Sequence, residues 1–402
     1  MGIQDLTALI KAECPEQLET VLLAELEGYK IAVDVSIYLY KYVRSCGETR
    51  WLDAFINFVC ELKKARLHPV YIFDGPDPPP EKKLKQAARR AQRAKDEDRL
   101  REAGRYYADL MQDYVPGNRE PPDALQDNVR RLLAATSIGQ QVRYDDAISV
   151  ANALRAKIEI WTNQAIRITP AFGEKAKDVL NLLGLPYLQA RGEAETLCAF
   201  LGVNGHVDAV LTSDTDVLAY GTPCMISNIG AEHKAPPPRM LGGADAPPPP
   251  RVRCGPTTVR VINHQNLCAE LDLSAAEFRD LCILLGCDYN RRAKMRGKRV
   301  KKRGTWQDGK ELSVGRVRAM RLIQEHRTLE EVENFLTDSA ALNYRRCREL
   351  FTVPAANPGA ARFEYAAPIA EPDFLAFLRE NNSRIDPAFI KSLWAPPKIQ
   401  HG

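Results

Sequence analysis

The chain has 402 residues, 45% of them hydrophobic and 27% charged, and carries a formal net charge of +4. That length holds one large domain or two ordinary ones, and the composition is that of a globular protein rather than a disordered or fibrous one. No run of about 18 apolar residues occurs, which argues against a membrane span, and the charged start MGIQDLTALIKAE argues against a secretory signal.

Taken in chain order, the first strand is KIAVDV (30–35), followed by a helical pattern in WLDAFINFVCELKKA (51–65) and a second strand in PVYIFDG (69–75). Strand, helix and strand in so short a span predict a βαβ unit with a parallel pair. After the turn PDPPP comes the strongly basic helix EKKLKQAARRAQRAK (81–95). PGNREPP (116–122) then breaks a pair of helical stretches. TPAFGEKAKDVLNLLG (169–184) reads as a helix with Thr169 as N-cap, Pro170 in its first turn and Gly184 at its end. PYLQA (186–190) predicts a short strand, GEAETLCAFLG (192–202) a helix, and VDAVLTSD (207–214) a third strong strand. This alternation predicts an α/β fold with a mainly parallel sheet.

The stretch KAPPPRMLGGADAPPPPRVR (234–253) is too rich in Pro and Gly for a core element and is expected to be a surface loop. LSAAEFRDLCILLGCDY (273–289) predicts a helix with a Ser274/Glu277 capping box and Gly286 after its apolar stripe. A basic loop follows, RRAKMRGKRVKKRG (291–304), then helices in SVGRVRAMRLIQEH (313–326), TLEEVENFL (328–336), EPDFLAFLRENN (371–382) and DPAFIKSLW (386–394). The ten cysteines form no C-x-x-C pair and are expected to be reduced thiols of an intracellular protein.

Three strands end on acids: IAV runs into Asp34, VYIF into Asp74, and AVLTS into Asp214 and Asp216. If that last run stays extended, Asp214 and Asp216 share one face. In open parallel sheets ligands bind beyond the carboxyl ends of the strands, so these acids are expected to converge on one edge. Glu193 and Glu195 open the helix after PYLQA, and Asp288 lies just past the end of the 274–286 helix. A lone Asp after a strand is usually a turn residue. Seven carboxylates in one cleft would repel one another unless protonated or bridged by cations. Mg²⁺, a hard cation that takes oxygen ligands and substrate phosphate, suits them. No zinc spacing, P-loop or Ser-His-Asp set is present. Acids, hard cations and basic surfaces together predict phosphodiester hydrolysis with two metal ions.

The segments MGIQDLTALI, IAVDVSIYLY, PVYIFDG, PYLQARGEAE, TSDTDVLAYG and LCILLGCDY, in this order, resemble the flap endonuclease/XPG family of structure-specific 5′ nucleases. The resemblance covers about residues 1–105 and 165–345. It implies a twisted, mainly parallel sheet flanked by helices (a PIN-like 5′ nuclease fold), a helical arch and a helical DNA-binding element. It implies a two-metal site, with Mg²⁺ bound and Mn²⁺ as a substitute, made by Asp34, Asp74, Glu193, Glu195, Asp214, Asp216 and Asp288. Lys82 and Arg89 would reach the scissile phosphate, with Lys83 and Arg90 as rivals in a shifted alignment. Tyr40 would stack on a substrate base, and Gly2 would lie near the DNA.

The basic loop offers Arg296, Lys298, Arg299, Lys301 and Lys302 to phosphates, and Gly315 and Arg316 stand where the family carries a glycine turn. The expected division is a nuclease region over 1–105, an arch or insertion over 106–165, a second nuclease region over 166–290, a DNA-binding element over 291–345 and a C-terminal helical region over 346–402. The expected activity is cleavage of branched DNA, most of all 5′ flaps, in replication, repair or recombination, by a monomer. A 5′–3′ exonuclease, a junction or bubble endonuclease, or an RNase of the same superfamily is the alternative, and a catalytically inactive DNA-binding scaffold a more distant one. The sliding-clamp tail Q-x-x-hydrophobic-x-x-aromatic-aromatic is absent from the sequence, a form that suits a large DNA virus. A nuclear site is expected if the source is a eukaryotic cell, and the host nucleus or a viral replication site if it is a virus.

Overall fold

The computed structural model describes residues 2–117, 119–134, 136, 138–230, 257–296, 300–302, 305–307, 311–353 and 370–394. The Pro-rich loop predicted over 234–253 lies outside them, as do Lys298 and Arg299. Helix α1 (Leu6–Glu13) leads to strand β1 (Glu19–Leu22), then β2 (Lys30–Asp34), α2 (Val35–Cys46), α3 (Trp51–Lys64) and β3 (His68–Phe73). Three helices follow: α4 (Lys83–Asp109), α5 (Asp123–Leu133) and α6 (Ala147–Ala165). Next come α7 (Pro170–Leu182), β4 (Tyr187–Gln189), α8 (Ala194–Val203), β5 (Ala209–Leu211), α9 (Asp216–Ala219), β6 (Cys224–Ser227) and β7 (Thr258–Asn263).

The seven strands form one sheet in the order β1-β7-β6-β5-β2-β3-β4. The central strands β6, β5, β2, β3 and β4 are parallel, while β7 and β1 add antiparallel partners at one side. The mainly parallel α/β architecture expected from the alternating pattern is the one observed. β1, β6 and β7 were not recognised in the sequence.

Side-chain alternation along the parallel strands decides where the acids go. Ala32, Val70 and Val210 lie side by side in register and face one hydrophobic cluster, with Cys198, Leu218 and Leu281. Ile31, Val33, Tyr71 and Leu211 face the other, with Phe55, Phe58 and Leu180. Asp34 and Asp74 continue the even-numbered row that faces the first cluster, on the side covered by α8.

Helix α4 spans 27 residues, about 40 Å at the usual rise. With α5 and α6 it builds a separate small core around Leu110, Val129, Leu133, Val150, Leu154 and Trp161. Asp146 starts α6 by accepting hydrogen bonds from the amides of Ile148 and Ser149. Residues 106–165, hard to read in the sequence, are therefore mostly helical, and α6 returns against α2.

Beyond the sheet come α10 (His264–Glu270) and α11 (Ala275–Leu285). The segment read as a basic loop instead forms two short ribbons, β8 (Lys294–Arg296) with β11 (Glu311–Ser313) and β9 (Val300–Lys302) with β10 (Thr305–Gln307). Antiparallel pairing gives the backbone of this charged segment hydrogen-bond partners without a hydrophobic core. Helices α12 (Arg316–His326), α13 (Leu329–Val332), α14 (Tyr344–Leu350), α15 (Glu371–Glu380) and α16 (Pro387–Trp394) complete the chain. α15 rests on α7 and α16 on α3, and the Trp394 indole donates to the Leu183 carbonyl at 3.0 Å.

Thr169 sits at the start of α7 as predicted, but its side chain makes no capping bond. Gly184 has φ +65°, the left-handed conformation that favours glycine after a helix. The capping box at α11 is complete: the Glu277 amide donates to Ser274 Oγ at 3.2 Å, and the Ser274 amide donates to Glu277 Oε2 at 2.6 Å. Ser274→Ala is expected to cost about 1 kcal/mol in urea unfolding. An unchanged midpoint would mean that packing alone holds α11.

Candidate active site

The turn after β3 is pressed against the loop before α8. The Gly75 amide donates to the Gly192 carbonyl at 2.6 Å, and a β-carbon on Gly75 would overlap the carbonyl oxygens of Ala190 and Arg191. Glycine is required by this close approach, and the approach brings Asp74 to the start of α8. There Asp74 Oδ1 accepts the Ala194 amide at 2.8 Å. Glu193 stands at the N-cap position of α8 and Glu195 in its first turn, where the positive end of the helix dipole favours carboxylates.

The run expected to stay extended through Asp214 leaves the sheet at Leu211. Short polar side chains turn the chain there: the Asp214 amide donates to Thr212 Oγ1 at 3.1 Å, and the Asp216 amide to Asp214 Oδ1 at 3.2 Å. Asp214 and Asp216 therefore do not share a strand face; Asp216 opens helix α9. The turn still brings them together, and carboxylate oxygens of Glu195, Asp214 and Asp216 lie within 4.8 Å of one another. Gly286, at φ +103°, ends α11 and releases Asp288 toward the same place.

These pieces enclose a cleft of about 310 Å³ lined by Asp34, Asp74, Glu193, Glu195, Asp214 and Asp288, with Tyr40 and Lys82 at its wall. Asp216 lies beneath it, fully buried. Thr212 Oγ1 donates to Asp34 Oδ2 at 3.1 Å, but Asp34 Oδ1 and both oxygens of Asp216 are buried and accept no hydrogen bond from the described residues. Buried carboxylate oxygens without donors are costly. Lys82 supplies one positive charge: Nζ pairs with Glu193, with Glu195 at 3.1 Å and with Asp288 at 3.8 Å. Burial opposes that charge, but Glu195 and Glu193 override it and hold the ammonium above its ordinary pKa.

Among the described residues Lys82 is the cation paired with these acids, and its single charge does not balance seven carboxylates. Burial, then the charges of Asp74 and Asp214, push Asp34 up to about 8. Burial together with Asp214 raises Glu195 and Asp216 well above the carboxylate range, and burial raises Asp214 despite the Asp216 amide. An all-oxygen set with unused acceptor atoms and surplus negative charge fits hard divalent cations.

Tyr40 projects from α2, partly exposed, with the Arg44 guanidinium 4.0 Å from its ring centre. Gly2 packs its backbone against Asp214 and Thr215, and the Ile3 amide donates to Thr215 Oγ1 at 2.9 Å. Arg90 is exposed on α4, whereas the side chains of Lys83 and Arg89 lie outside the described residues. Arg296 belongs to β8, and Lys301 and Lys302 to β9, where only the backbone is described. Gly315 stands at the N-cap of α12 with an ordinary negative φ, and Arg316 is exposed in its first turn.

Tyr289 was not singled out in the sequence. Its hydroxyl donates toward Glu193 Oε2 at 2.9 Å and Glu195 Oε1 at 3.2 Å. The only hint was its place beside Asp288.

The sequence matches two family models, the XPG N-terminal domain over residues 1–97 and the XPG I-region over residues 184–288. Together they span half of the chain, and all seven acids fall within them. The chain belongs to the flap endonuclease/XPG family. Among its relatives, a probable RAD2-like endonuclease of Invertebrate iridescent virus 3 is 28% identical over 359 residues, covering 88% of this chain and 86% of that protein. Flap endonuclease 1 of Drosophila grimshawi is 29% identical over 371 residues, covering 88% of this chain and 74% of that protein. Two solved structures share the fold. Flap endonuclease-1 from Methanococcus jannaschii superposes with a TM-score of 0.52 at 17% identity, over 94% of both chains. The catalytic core of Rad2 in complex with DNA substrate gives 0.55 at 16% identity, over 98% of this chain and 99% of that one.

Burial of these acids, with the neighbouring negative charge, sets a pH dependence for this XPG-family chain. A carboxyl that holds its proton up to about 8 when folded, but loses it near 4 when unfolded, binds more protons in the folded state between those values. In a chelator the melting temperature is therefore expected to fall as pH rises from about 5 to 8. Saturating Mg²⁺ should flatten that fall, because ionised acids then gain cation partners. A melting temperature independent of Mg²⁺ across this range would contradict the assignment.

Proposed function

We propose that the chain is a structure-specific 5′ nuclease that hydrolyses phosphodiester bonds of branched DNA, 5′ flaps above all, using two Mg²⁺ ions. The observation that carries this reading is the convergence of the family's acids around buried oxygens that accept no hydrogen bond from the described residues. Asp34, Asp74, Glu193, Glu195, Asp214, Asp216 and Asp288 would hold the ions. When bound, such cations supply a nucleophilic water at neutral pH and stabilise charge on the reacting phosphate.

The protein's own residues do the rest. Lys82, kept cationic by its acidic neighbours, lies at the cleft wall to meet negative charge that develops on the scissile phosphate. Arg89, about two helical turns after Lys82 on α4, is the second cation of this reading, with Lys83 and Arg90 as its rivals. The ring of Tyr40 offers a base-stacking face at the cleft edge that any sequence can use. Gly2 lies against Asp214 and Thr215, where any side chain would collide, which puts this glycine beside the acids and the DNA of this reading. Arg296, Lys298, Arg299, Lys301, Lys302 and Arg316, with the backbone at Gly315, would hold the duplex by its phosphates, which positions DNA without reading sequence.

The relatives named flap endonuclease 1 support the flap preference, and the structure of Rad2 with DNA substrate supports DNA as the class of ligand. Asp216→Asn is expected to slow cleavage of a 5′ flap at least about a hundredfold while branched-DNA affinity in Ca²⁺ stays within a few fold. Equal cleavage by variant and wild type would remove the site assignment. A panel of 5′ flap, bubble, four-way junction, blunt duplex and RNA, each with Mg²⁺ and with chelator, tests the substrate. Fastest cutting of the flap, with none in chelator, is the expected pattern. Preference for RNA or for blunt ends would overturn it.

A further inference from the structure

We propose that Tyr289 is a positioning residue that sets the orientation of Glu193 and Glu195, and the place of Lys82, for cation binding. The inference deepens the metal-dependent reading above and rests on it. Four contacts converge on this one side chain. Its hydroxyl reaches Glu193 Oε2 at 2.9 Å and Glu195 Oε1 at 3.2 Å. The Lys82 ammonium lies 5.6 Å from its ring centre, on the face that attracts cations. Its ring is buried and packs edge-on against Phe351, centroids 5.3 Å apart.

The direction of the hydroxyl is fixed by its neighbours. A carboxylate that holds a cation can only accept, and the geometry makes the Tyr289 hydroxyl the donor to both glutamates. Its oxygen is then open to the Tyr220 hydroxyl, 3.4 Å away, and Tyr220 in turn lies 2.9 Å from Thr196 Oγ1. Thr196 follows Glu195 on α8, so the chain of hydroxyls returns to the helix that carries the glutamates. Tyr220 also meets Phe351 edge-on, at 5.1 Å. Phe351 stands at the end of α14, so the C-terminal part of the protein braces both phenols.

The phenol and Lys82 share the two carboxylates, Tyr289 on Glu193 Oε2 and both groups on Glu195 Oε1, so their placement fixes how Glu195 turns toward a cation and how Glu193 is held between phenol and ammonium. Partners of this kind, one bond removed from the ligand atoms, change metal affinity by about 10–100-fold when removed. The hydroxyl can be deleted with little change of shape. Mn²⁺ binding to full-length wild type, Tyr289→Phe and Tyr220→Phe is measured by calorimetry without DNA, and flap cleavage is followed across a Mg²⁺ titration. Melting in chelator checks the fold of each variant.

Tyr289→Phe is expected to weaken Mn²⁺ binding about tenfold and to move the Mg²⁺ midpoint of cleavage by a similar factor. Tyr220→Phe, one step further from the glutamates, should shift both by a smaller factor. A variant that melts lower but binds Mn²⁺ as wild type does would make Tyr289 structural only and overturn the proposal. If wild type itself binds no Mn²⁺, the metal-dependent reading falls and this inference with it, an outcome distinct from the first.

Discussion

Mutual repulsion among carboxylates is the constraint on which this structure turns. Asp34, Glu195, Asp214 and Asp216 are each more than nine-tenths buried, next to a hydrophobic cluster that has no use for charge. Water would ordinarily solvate such groups, and a stable core would exclude them. The fold instead holds them together by backbone hydrogen bonds, glycine-dependent close approaches and one ammonium. Burial, and after it the neighbouring negative charge, raises the proton affinity of the buried acids and makes an all-oxygen site that suits divalent cations.

The parallel sheet performs the assembly. In-register pairing of β2 with β3 and β5 aligns their even-numbered residues, so that Asp34 at the end of β2, Asp74 just after β3 and the turn after β5 meet at the same edge. Helices α8, α9 and α11 then supply acids at points where the chain changes direction, using a helix start, a tight polar turn and a positive-φ glycine. Stability and function pull against each other at these points. The same packing that makes the site rigid strips its oxygens of solvent, and only bound cations or protons relieve the cost. The helical unit of α4, α5 and α6 has its own core, and α4 begins at the residue after Lys82, so the cation in the cleft wall is set at the start of that unit.

Much of this was legible in the sequence. Asp34 and Asp74 follow unmistakable apolar strands, and two-residue periodicity states which face they take. Glu193 and Glu195 precede a clear helix, and Asp288 follows one capped by Ser274 and ended by Gly286. The detail at Asp214 and Asp216 was not legible, because the strand pattern gives no warning that Thr212 and Asp214 bend the backbone with their own side chains. β1 was missed because its residues are mostly exposed and carry little apolar signal, and β7 because it follows the Pro-rich stretch. The basic segment after Asp288 read as a loop since ribbons so short and charged show no burial pattern. Tyr289 escaped notice for a different reason. A phenol has no diagnostic spacing, and its partners lie some 95 residues away in sequence, brought near only by folding.

The central claim is that the buried acids exchange protons for divalent cations. Titrating full-length protein with Mn²⁺ near pH 7, in buffers of different ionisation enthalpy, reads this directly. The account requires two ions per chain and a binding heat that varies with the buffer, the signature of protons leaving the acids as cations enter. Binding with no buffer dependence, or no saturable binding, would contradict it.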